Sequence, residues 1–478
     1  MPAYFSVLVV LLLAWGAFAF GAVYDWAYTP LFCGAAAVGV LGWLSPGASE
    51  RPRVPWALVA ALALVGAVVC LQLIPLTPGQ IARISPATDR FLTAYDLEYA
   101  SIRTALSQSA NGPPASPAAA TYRHPLSIDP SGTRLGLAAL AAFALLSIGI
   151  ARGLGRRGLR VLAVGLTVVG AALALAGLAQ PSLGVRDPRT PALIYGFWKP
   201  IWGRDPFGPF VNRNHFAGWM LLALPVAIGY FCALVDRGMK GVKPNWRERV
   251  LWFSSSDANR VILVGAAITL MGLSLVRTFS RSGISGFLLG VAISVWFVIR
   301  RHSKRSKRAV ALAYLVLLAA LTLGWVGLDA VVGRFAAAQG SELSGRLPIW
   351  TDTLTVVRDF PVTGTGLNTY GTSMLIYQEH DLDTRSVEAH NDYLQLVAEG
   401  GGLLGIPAIA LLLVLLREIR RRFRERADDA MEYWLRVGAA TGLAAMAFQE
   451  TVEFSLQIPG VAALFAVVAA IAIRPGKA

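Results

Sequence analysis

Apolar residues are gathered into long runs over most of this 478-residue chain, and shorter polar segments separate the runs. A helix needs about 17–25 predominantly apolar residues to cross the hydrocarbon core of a bilayer, so each run of that length is a candidate membrane span. About twelve runs meet this criterion. They cover residues 4–24, 30–45, 56–76, 134–151, 159–180, 212–235, 260–278, 283–299, 309–329, 396–416, 434–449 and 455–473. The pattern predicts an all-α, polytopic membrane helix bundle.

Basic residues indicate the direction in which the spans run. Lys and Arg form short clusters in alternate connections, and such clusters remain in the cytoplasm. The clusters are Arg51 with Arg53, residues 152–160, residues 240–249, residues 300–308 and residues 417–426. The longer connections, 77–133, 180–211 and 330–395, are mixed in charge, and we expect them to face outward. Both termini are then predicted to be cytoplasmic.

Composition supports a membrane protein and argues against a nucleic-acid-binding one. The chain is 55% hydrophobic and 15% charged, whereas soluble domains carry about 25% charged residues, so the excess apolar surface must face lipid. The net charge of +15 arises mostly from the clusters between spans. The three cysteines, Cys33, Cys70 and Cys232, lie in apolar runs without metal-ligand spacing, and we expect them to be packing residues.

Two of the predicted outward segments differ in character. Residues 77–133 contain a Pro- and Ala-rich stretch that is typical of a flexible linker. Residues 330–395 instead show apolar positions at helical spacing, followed by Pro361 and several glycines that force turns. The apolar positions are Leu347, Trp350, Leu354 and Val357. This second segment is predicted to fold as a small periplasmic helical cap that leads into the next span.

Four polar constellations lie in the connections that are predicted to face outward. They are Phe-Val-Asn-Arg-Asn-His-Phe-Ala-Gly at 210–218, Thr-Phe-Ser-Arg-Ser-Gly at 278–283, Ser-Gly-Arg-Leu-Pro-Ile-Trp at 344–350 and Ala-His-Asn-Asp-Tyr-Leu-Gln-Leu-Val-Ala-Glu at 389–399. Arginines that attach helices to lipid headgroups prefer the cytoplasmic side, which favours a functional role for Arg281 and Arg346. For Arg213 and Arg277 the attachment and the functional interpretations remain equally open.

His390 is predicted to open the helix of the next span, beside Asn391 and Asp392. A single histidine is more often a structural residue than a catalytic one. Here it lies at the exit of a segment that already contributes Arg346, and an unperturbed imidazole titrates close to neutral pH. His390 is therefore a candidate general base.

The constellations together resemble a known family. Asn-x-Asn-x-Phe-Ala from Asn212, Ser-Arg-Ser-Gly from Ser280, Gly-Arg-x-x-x-Trp from Gly345 and His-Asn-x-x-Leu from His390, followed by Ala-Glu-Gly, are similar to motifs of the O-antigen ligase and polymerase superfamily. The stretch Glu-Phe-Ser-Leu-Gln-Ile-Pro from Glu453 resembles the start of that family's last span. The resemblance covers roughly residues 205–470.

The resemblance implies a GT-C-like fold and a division of the chain into two parts. Residues 1–204 would supply N-terminal transmembrane helices, including the flexible outer segment 77–133. Residues 205–470 would form a ligase- or polymerase-like membrane domain that includes the periplasmic segment 330–395.

The resemblance also implies a reaction. Members of the family transfer a glycan from an undecaprenyl-diphosphate donor to an acceptor hydroxyl, on a lipid A-core or a growing glycan, at the periplasmic face of the bacterial inner membrane. Arg281 and Arg346 match the diphosphate-binding arginines, and His390 matches the essential histidine. The possible supporting residues are Arg213, Asn214, Arg277, Asn391 and Glu399. The motifs do not separate ligases, repeat-unit polymerases and protein-glycosylating enzymes.

Guanidinium groups suit this chemistry, because each can bind two phosphate oxygens at once and does not lose its charge. Two arginines can stabilise a leaving diphosphate without a metal ion, and no cofactor is expected. Asp381 and Asp383 have the Asp-x-Asp spacing of metal-dependent transferases, but we interpret them as solvated loop residues. His390 is expected to assist deprotonation of the acceptor hydroxyl.

Two other functions remain open on the sequence. A polyprenyl-phosphate-sugar transferase needs a catalytic carboxylate, for which Asp25 is the candidate, although its aromatic neighbours favour an interfacial role. A lipid-linked sugar flippase or transporter needs polar groups near the membrane midplane, commonly within repeated halves. The ionisable residues of this chain instead gather near the predicted outer ends of the spans.

Overall fold

Helices account for the regular structure of the described chain. The computed structural model describes residues 3–44, 54–109, 117–180, 193–201, 205–238, 247, 254–301, 312, 313, 316, 318, 342–425 and 429–475. Within these residues, three isolated bridges occur and no strand is formed. The predicted all-α class is confirmed for this part of the chain.

The α-helices whose bounds the structure gives are numbered α1 to α17 in chain order. They are α1 Ala3–Phe18, α2 Asp25–Leu44, α3 Trp56–Gln72, α4 Pro78–Ile84, α5 Pro86–Tyr95, α6 Leu97–Ser109, α7 Pro117–Thr121, α8 Pro130–Gly153, α9 Arg156–Ala179, α10 Arg213–Gly238, α11 Ser256–Arg277, α12 Arg281–Arg301, α13 Glu342–Asp359, α14 Tyr370–Tyr377, α15 Asp392–Arg424, α16 Ala430–Gln449 and α17 Pro459–Ile473.

Seven helices among the described residues are long and apolar enough to cross a membrane, and three shorter apolar helices accompany them. The seven are α2, α8, α9, α10, α11, α12 and α15, and the shorter three are α1, α3 and α17. Each coincides with a predicted span, and α16 covers the predicted span 434–449. The predicted span 309–329 lies almost entirely outside the described residues. The count of twelve and the periplasmic position of the cap therefore stay predictions.

The chain packs into two compact units. Unit 1 comprises Met1–Pro55, Ala142–Gln339 and Arg417–Ala478, and unit 2 comprises Trp56–Ala141 and Gly340–Leu416. Each unit combines distant segments of the chain, and the predicted division at residue 204 stays a prediction. Hydropathy identifies single spans, whereas the choice of packing partners depends on side-chain fit that a linear pattern does not contain.

Helix α10 forms the centre of unit 1. Its apolar window is 94% buried, more than in any other candidate span of the described residues, and it packs most extensively against α16. A Cβ added to Gly229 would meet the carbonyl oxygen of Trp434, and one added to Gly438 would meet that of Pro225. Small residues thus allow the two backbones to touch, as is typical of packed membrane helices.

Charged residues also pack inside unit 1, at helix ends that the sequence predicts to be cytoplasmic. Glu432 is 5% exposed and accepts hydrogen bonds from Arg156 (3.1 Å) and Arg474 (3.0 Å). Arg436, one turn later, donates to the carbonyl oxygens of Arg422 and Arg474. Buried charges are tolerated when they are paired and hydrogen-bonded. These basic residues therefore connect helix ends to one another, in addition to indicating the direction of the spans.

In unit 2, four short helices lie in the segment that the sequence predicts to be flexible. Thr77 caps α4 in a capping box with Gln80, and a proline begins both α4 and α5. Tyr99 of α6 is fully buried and donates to Asp89 of α5 (2.7 Å). The centre of the Pro- and Ala-rich stretch, 110–116, lies outside the described residues. The described part of the segment is helical because individual capping residues start its helices. The overall composition of the segment does not show the effect of these few residues.

Candidate active site

The short connection between α11 and α12 in unit 1 contains Arg281. Helix α11 ends at Arg277, and α12 begins at Arg281. Between them Phe279 adopts a left-handed backbone with φ 52°, which costs free energy for a residue other than glycine. Ser280 supports the turn by accepting a hydrogen bond from the backbone N–H of Gly283 (3.2 Å). Arg281 is thereby held as the first residue of its helix, and it is partly buried.

A buried carboxylate lies beside the starts of two helices in unit 1. Asn214, which follows Arg213 at the start of α10, donates from Nδ2 to Glu453 Oε1 (2.8 Å). Ser282, which follows Arg281 at the start of α12, lies with its Oγ 3.5 Å from the same oxygen. Glu453 is 1% exposed. Its sequence position, inside a stretch that resembles the start of a span, does not distinguish it from a packing residue, so the sequence does not select it.

Arg213 and Arg277 have local partners in unit 1. The backbone N–H of Arg213 donates to the carbonyl oxygen of Asp205 (2.9 Å), and its guanidinium lies 3.5 Å from the Asp205 carboxylate. The Arg277 guanidinium lies over the ring of Phe279, 5.4 Å from the centroid. These contacts give both arginines a structural role near helix ends, and their functional roles stay predictions.

In unit 2, Arg346 lies on α13. This helix confirms the helical spacing seen in the sequence, but its buried face includes polar residues and leaves two of the predicted apolar positions exposed. Asp352 and Thr353 are 2% and 0% exposed, whereas Leu347 and Leu354 are 51% and 45% exposed. The buried polar side chains bond to neighbouring loops, and a count of apolar positions cannot detect such bonds.

Helix α13 is bonded to the loop that contains His390. Trp350, four residues after Arg346, donates from Nε1 to the carbonyl oxygen of Ala389 (3.0 Å). Ala389 is fully buried and immediately precedes His390. The segments that carry Arg346 and His390 are therefore held together within unit 2.

His390 lies just before α15 and not within it. Its backbone is left-handed, with φ 51°, and the helix begins two residues later at Asp392. Asn391 acts as an N-cap, because its Oδ1 accepts a hydrogen bond from the N–H of Leu394 (3.0 Å). Strained backbone of this kind is concentrated at functional sites, where the surrounding structure fixes it. Asn391, a predicted supporting residue, thus turns the chain from the His390 loop into the helix.

Gln395 joins the loop before His390 to the first turns of α15. Its Oε1 accepts from the N–H of Ala389 (2.9 Å), and its Nε2 donates to Glu388 (2.6 Å) and Glu399 (3.3 Å). Burial raises the pKa of Glu388 to about 8, the bond from Gln395 opposes this rise, and nearby carboxylates add to it. Glu388 is therefore largely protonated at neutral pH.

Glu399 stabilises a turn of unit 2. It is 2% exposed and accepts hydrogen bonds from the backbone N–H groups of Asn368 (2.7 Å) and Tyr370 (3.0 Å). The same turn contains Gly364 and Gly366, whose φ angles of 63° and 113° favour glycine. These bonds give Glu399, another predicted supporting residue, a structural role.

Two further buried polar residues of unit 2 are not identified by any motif in the sequence. Asp352 accepts from the backbone N–H groups of Glu379 and His380 (each 3.1 Å), and it lies 2.6 Å from Nδ1 of His380. Gln72, the last residue of α3, donates to the carbonyl oxygen of Glu399 (3.0 Å). A polar residue inside an apolar run is a signal that could have identified Gln72, since buried polar groups are normally bonded.

The carboxylates considered for other mechanisms are exposed. Asp25 is the first residue of α2, and Asp381 and Asp383 lie in the loop that follows α14. In the part of the chain that the structure describes, no group of three His, Cys, Asp or Glu side chains could hold a metal ion. The interpretation of Asp381 and Asp383 as solvated loop residues stays a prediction.

Apolar helices of membrane-spanning length, with polar constellations at their connections, define the class of this molecule as a multi-pass helical membrane protein. Residues 266–413 match the model of the O-antigen ligase family, which confirms the predicted resemblance to the O-antigen ligase and polymerase superfamily. The matched segment contains Arg281, Arg346 and His390. The family indicates a bacterial membrane protein with glycosyltransferase-type activity in O-antigen or polysaccharide assembly. A comparison with curated proteins gives no match.

Proposed function

We propose that this protein transfers a glycan or repeat unit from undecaprenyl diphosphate to an acceptor hydroxyl at the periplasmic face of the bacterial inner membrane. The family match over residues 266–413 carries the proposal, because it contains both arginines and the histidine. The Trp350–Ala389 bond of unit 2 (3.0 Å) supports it, since this bond joins the helix of Arg346 to the turn of His390. The acceptor is a lipid A-core in a ligase, or a growing glycan in a polymerase.

In this proposal Arg281 and Arg346 bind the donor diphosphate. A guanidinium group forms two parallel, charge-assisted bonds to phosphate oxygens. The leaving lipid diphosphate keeps the electron pair of its bond to the anomeric carbon, and fixed positive charges stabilise the negative charge that develops there. The reaction then needs no metal ion.

His390 acts on the acceptor. The acceptor oxygen attacks the anomeric carbon, the bond from that carbon to the diphosphate breaks, and the hydroxyl proton passes to the imidazole. Glu388, two residues earlier, is largely protonated at neutral pH and adds little negative charge to this loop. An ionised carboxylate at this position would instead compete with the imidazole for the proton and repel the donor diphosphate.

Turnover by purified protein tests the proposal. The wild type in detergent, with a diphosphate-linked oligosaccharide and an acceptor, should form product in excess chelator. Asp25→Asn should retain activity, because Asp25 has no role in the proposed reaction. Loss of activity in this variant would indicate a carboxylate-dependent polyprenyl-phosphate transferase. Loss of activity in EDTA that magnesium restores would contradict metal independence. Flux of a non-hydrolysable donor across proteoliposomes, without any transfer, would indicate a flippase.

The glycan profile of a deletion strain distinguishes the two acceptors. Loss of all long chains on lipid A, with the undecaprenyl-linked polymer still present, would indicate a ligase. Single repeat units on otherwise normal carriers would indicate a polymerase.

A further inference from the structure

Glu453 of unit 1 lies in the connection between α16 and α17. Its Oε1 accepts a hydrogen bond from Asn214 Nδ2 (2.8 Å) and lies 3.5 Å from Ser282 Oγ. Asn214 and Ser282 are each the second residue of a helix, and the first residues of the same two helices are Arg213 and Arg281. One carboxylate therefore contacts the starts of both arginine-bearing helices.

The burial of this carboxylate needs a physical explanation. Glu453 is 1% exposed, and removing an ionised carboxylate from water costs several kcal/mol unless charges and hydrogen bonds compensate. The amino ends of two helices supply partial positive charge beside it, and side-chain donors supply hydrogen bonds. An apolar residue would fill this space without that cost, so the acidic side chain indicates a role beyond packing.

The surrounding contacts show that the connection holds the start of α10 firmly. Gln449 is fully buried and donates from Nε2 to the carbonyl oxygen of Asn214 (3.2 Å). A Cβ added to Gly218 would meet Ser455 Oγ at 2.7 Å, so the connection lies directly against the first turns of α10. A segment packed this closely can transmit the position of Glu453 to the helix start.

We propose that Glu453 is a positioning residue that fixes the start of α12 against the start of α10, and thereby orients the Arg281 guanidinium for the donor diphosphate. The inference rests on the proposed function. Arg281 and Ser282 are consecutive on the first turn of α12, so a contact that holds Ser282 limits the rotation and the tilt of the helix start that carries the Arg281 side chain. Arg213 is less affected, since Asp205 already contacts its guanidinium (3.5 Å).

Binding of undecaprenyl diphosphate to detergent-purified protein tests the inference, with the melting temperature measured alongside. Glu453→Ala and Asn214→Ala should each weaken binding about tenfold, the equivalent of one well-formed hydrogen bond to a charged group. Glu453→Gln keeps an acceptor oxygen for Asn214 and Ser282 and should retain binding within about threefold. Thr451→Ala is the matched control, because Thr451 is exposed in the same connection and its hydroxyl bonds to Phe448.

Coupling to Arg281 separates positioning from general stability. If Glu453 acts through Arg281, Glu453→Ala should cost little further affinity in an Arg281→Lys background. Additive losses in the double variant would overturn the inference, as would unchanged binding in Glu453→Ala and Asn214→Ala. Should Glu453→Ala fail to fold, Asn214→Ala and its double variant decide the question.

The same measurements distinguish failure of this inference from failure of the proposed function. Equal diphosphate binding by the wild type and Arg281→Lys would contradict the proposed function itself. Weaker binding by Arg281→Lys, with wild-type binding by Glu453→Ala and Asn214→Ala, would contradict the positioning role alone.

Discussion

The two regions that carry the proposed site residues hold them in different ways. In unit 1, Arg281 is the first residue of a helix, and the buried Glu453 contacts the residue that follows it. In unit 2, His390 lies in a loop with left-handed backbone, and the residues around it are bonded by the Trp350 indole and the Gln395 amide. A helix start is stabilised by the whole helix behind it, whereas a loop turn depends on its individual bonds.

The charges in the two regions also differ. The carboxylate of unit 1 lies at helix amino ends, which stabilise a negative charge. The Glu388 carboxyl of unit 2 is partly buried near other carboxylates, and its pKa rises to about 8. In unit 1 the carboxylate thus lies where positive helix ends surround it, and in unit 2 the carboxyl lies where other carboxylates favour its protonated form. Substitutions in the two units should therefore act by different routes.

His390→Ala should have the largest effect on turnover. A general base contributes about 10²–10⁴ in rate, so transfer should fall by that factor. Binding of undecaprenyl diphosphate should remain largely intact, because the histidine acts on the acceptor. His380→Ala is the matched control, since that ring also lies in unit 2 but contacts Asp352 (2.6 Å). Loss of donor binding in His390→Ala, with normal binding in the arginine variants, would invert the assigned roles.

Arg281→Lys and Arg346→Lys should have the next largest effect on turnover. Lysine keeps the charge but loses the planar fork that binds two phosphate oxygens. Loss of one such contact to a developing charge costs about 10²–10³ in rate, and the same factor is expected in both units. Arg358→Lys, an exposed position on the helix of Arg346, is the control. Steady-state transfer and diphosphate binding measure the effect, and wild-type behaviour of both variants would place the site elsewhere.

Backbone contact in unit 1 makes small residues there sensitive. Gly438→Ala should lower the free energy of unfolding by about 1–3 kcal/mol, the usual cost of overpacking, because its Cβ would meet the carbonyl oxygen of Pro225. Gly405→Ala in unit 2 has open space at the Cβ position and should leave stability unchanged or slightly raised. Thermal unfolding in detergent compares the two, and equal melting temperatures would contradict close packing of α10 on α16.

The bond between Trp350 and Ala389 should have a moderate effect. Trp350→Phe keeps the aromatic packing but removes the indole donor, which is worth about 0.5–1.5 kcal/mol. If the loop turn depends on this bond, transfer should slow by about threefold to tenfold while the melting temperature changes little. Leu354→Ala, on the exposed face of the same helix, is the control. Unchanged transfer in Trp350→Phe would show that other bonds fix the turn.

The sequence predicts the helices well because apolar run length is a local property, and α10 and α15 both coincide with predicted spans. It also selects the arginines and the histidine, whose motifs are short and continuous. It does not identify Glu453 or Gln395, because their partners lie far along the chain or across a loop. It assigns Asn391 and Glu399 to a supporting role without showing that backbone N–H groups are their partners.

The helices of residues 77–109 show the opposite difficulty. Their caps, such as Thr77 with Gln80, are visible in the sequence but are weak signals beside a linker-like composition. The buried face of α13 combines Val356 with the polar Asp352 and Thr353, and the partners of Asp352 lie in a loop 27 and 28 residues away. The pattern of apolar and polar positions along the chain does not predict polar contacts between distant residues.

The smallest predicted effect is a pH dependence that originates at Glu388. Its pKa is raised from the ordinary value of 4.5 to about 8, so between these values the folded protein binds more protons than the unfolded chain. Its contribution to stability should therefore be complete below about pH 4.5, fall as the pH rises toward 8, and change no further above that. Glu388→Gln should reduce this slope while keeping the side-chain bond to Gln395 (2.6 Å in the wild type). Hydrogen exchange of residues 386–395 at several pH values measures the local effect, and Glu379→Gln, an exposed position in the same loop, is the control. Loop stability that does not change between pH 5 and pH 8 would contradict the raised pKa of Glu388 and would show that its carboxyl is ionised near His390 in the folded protein.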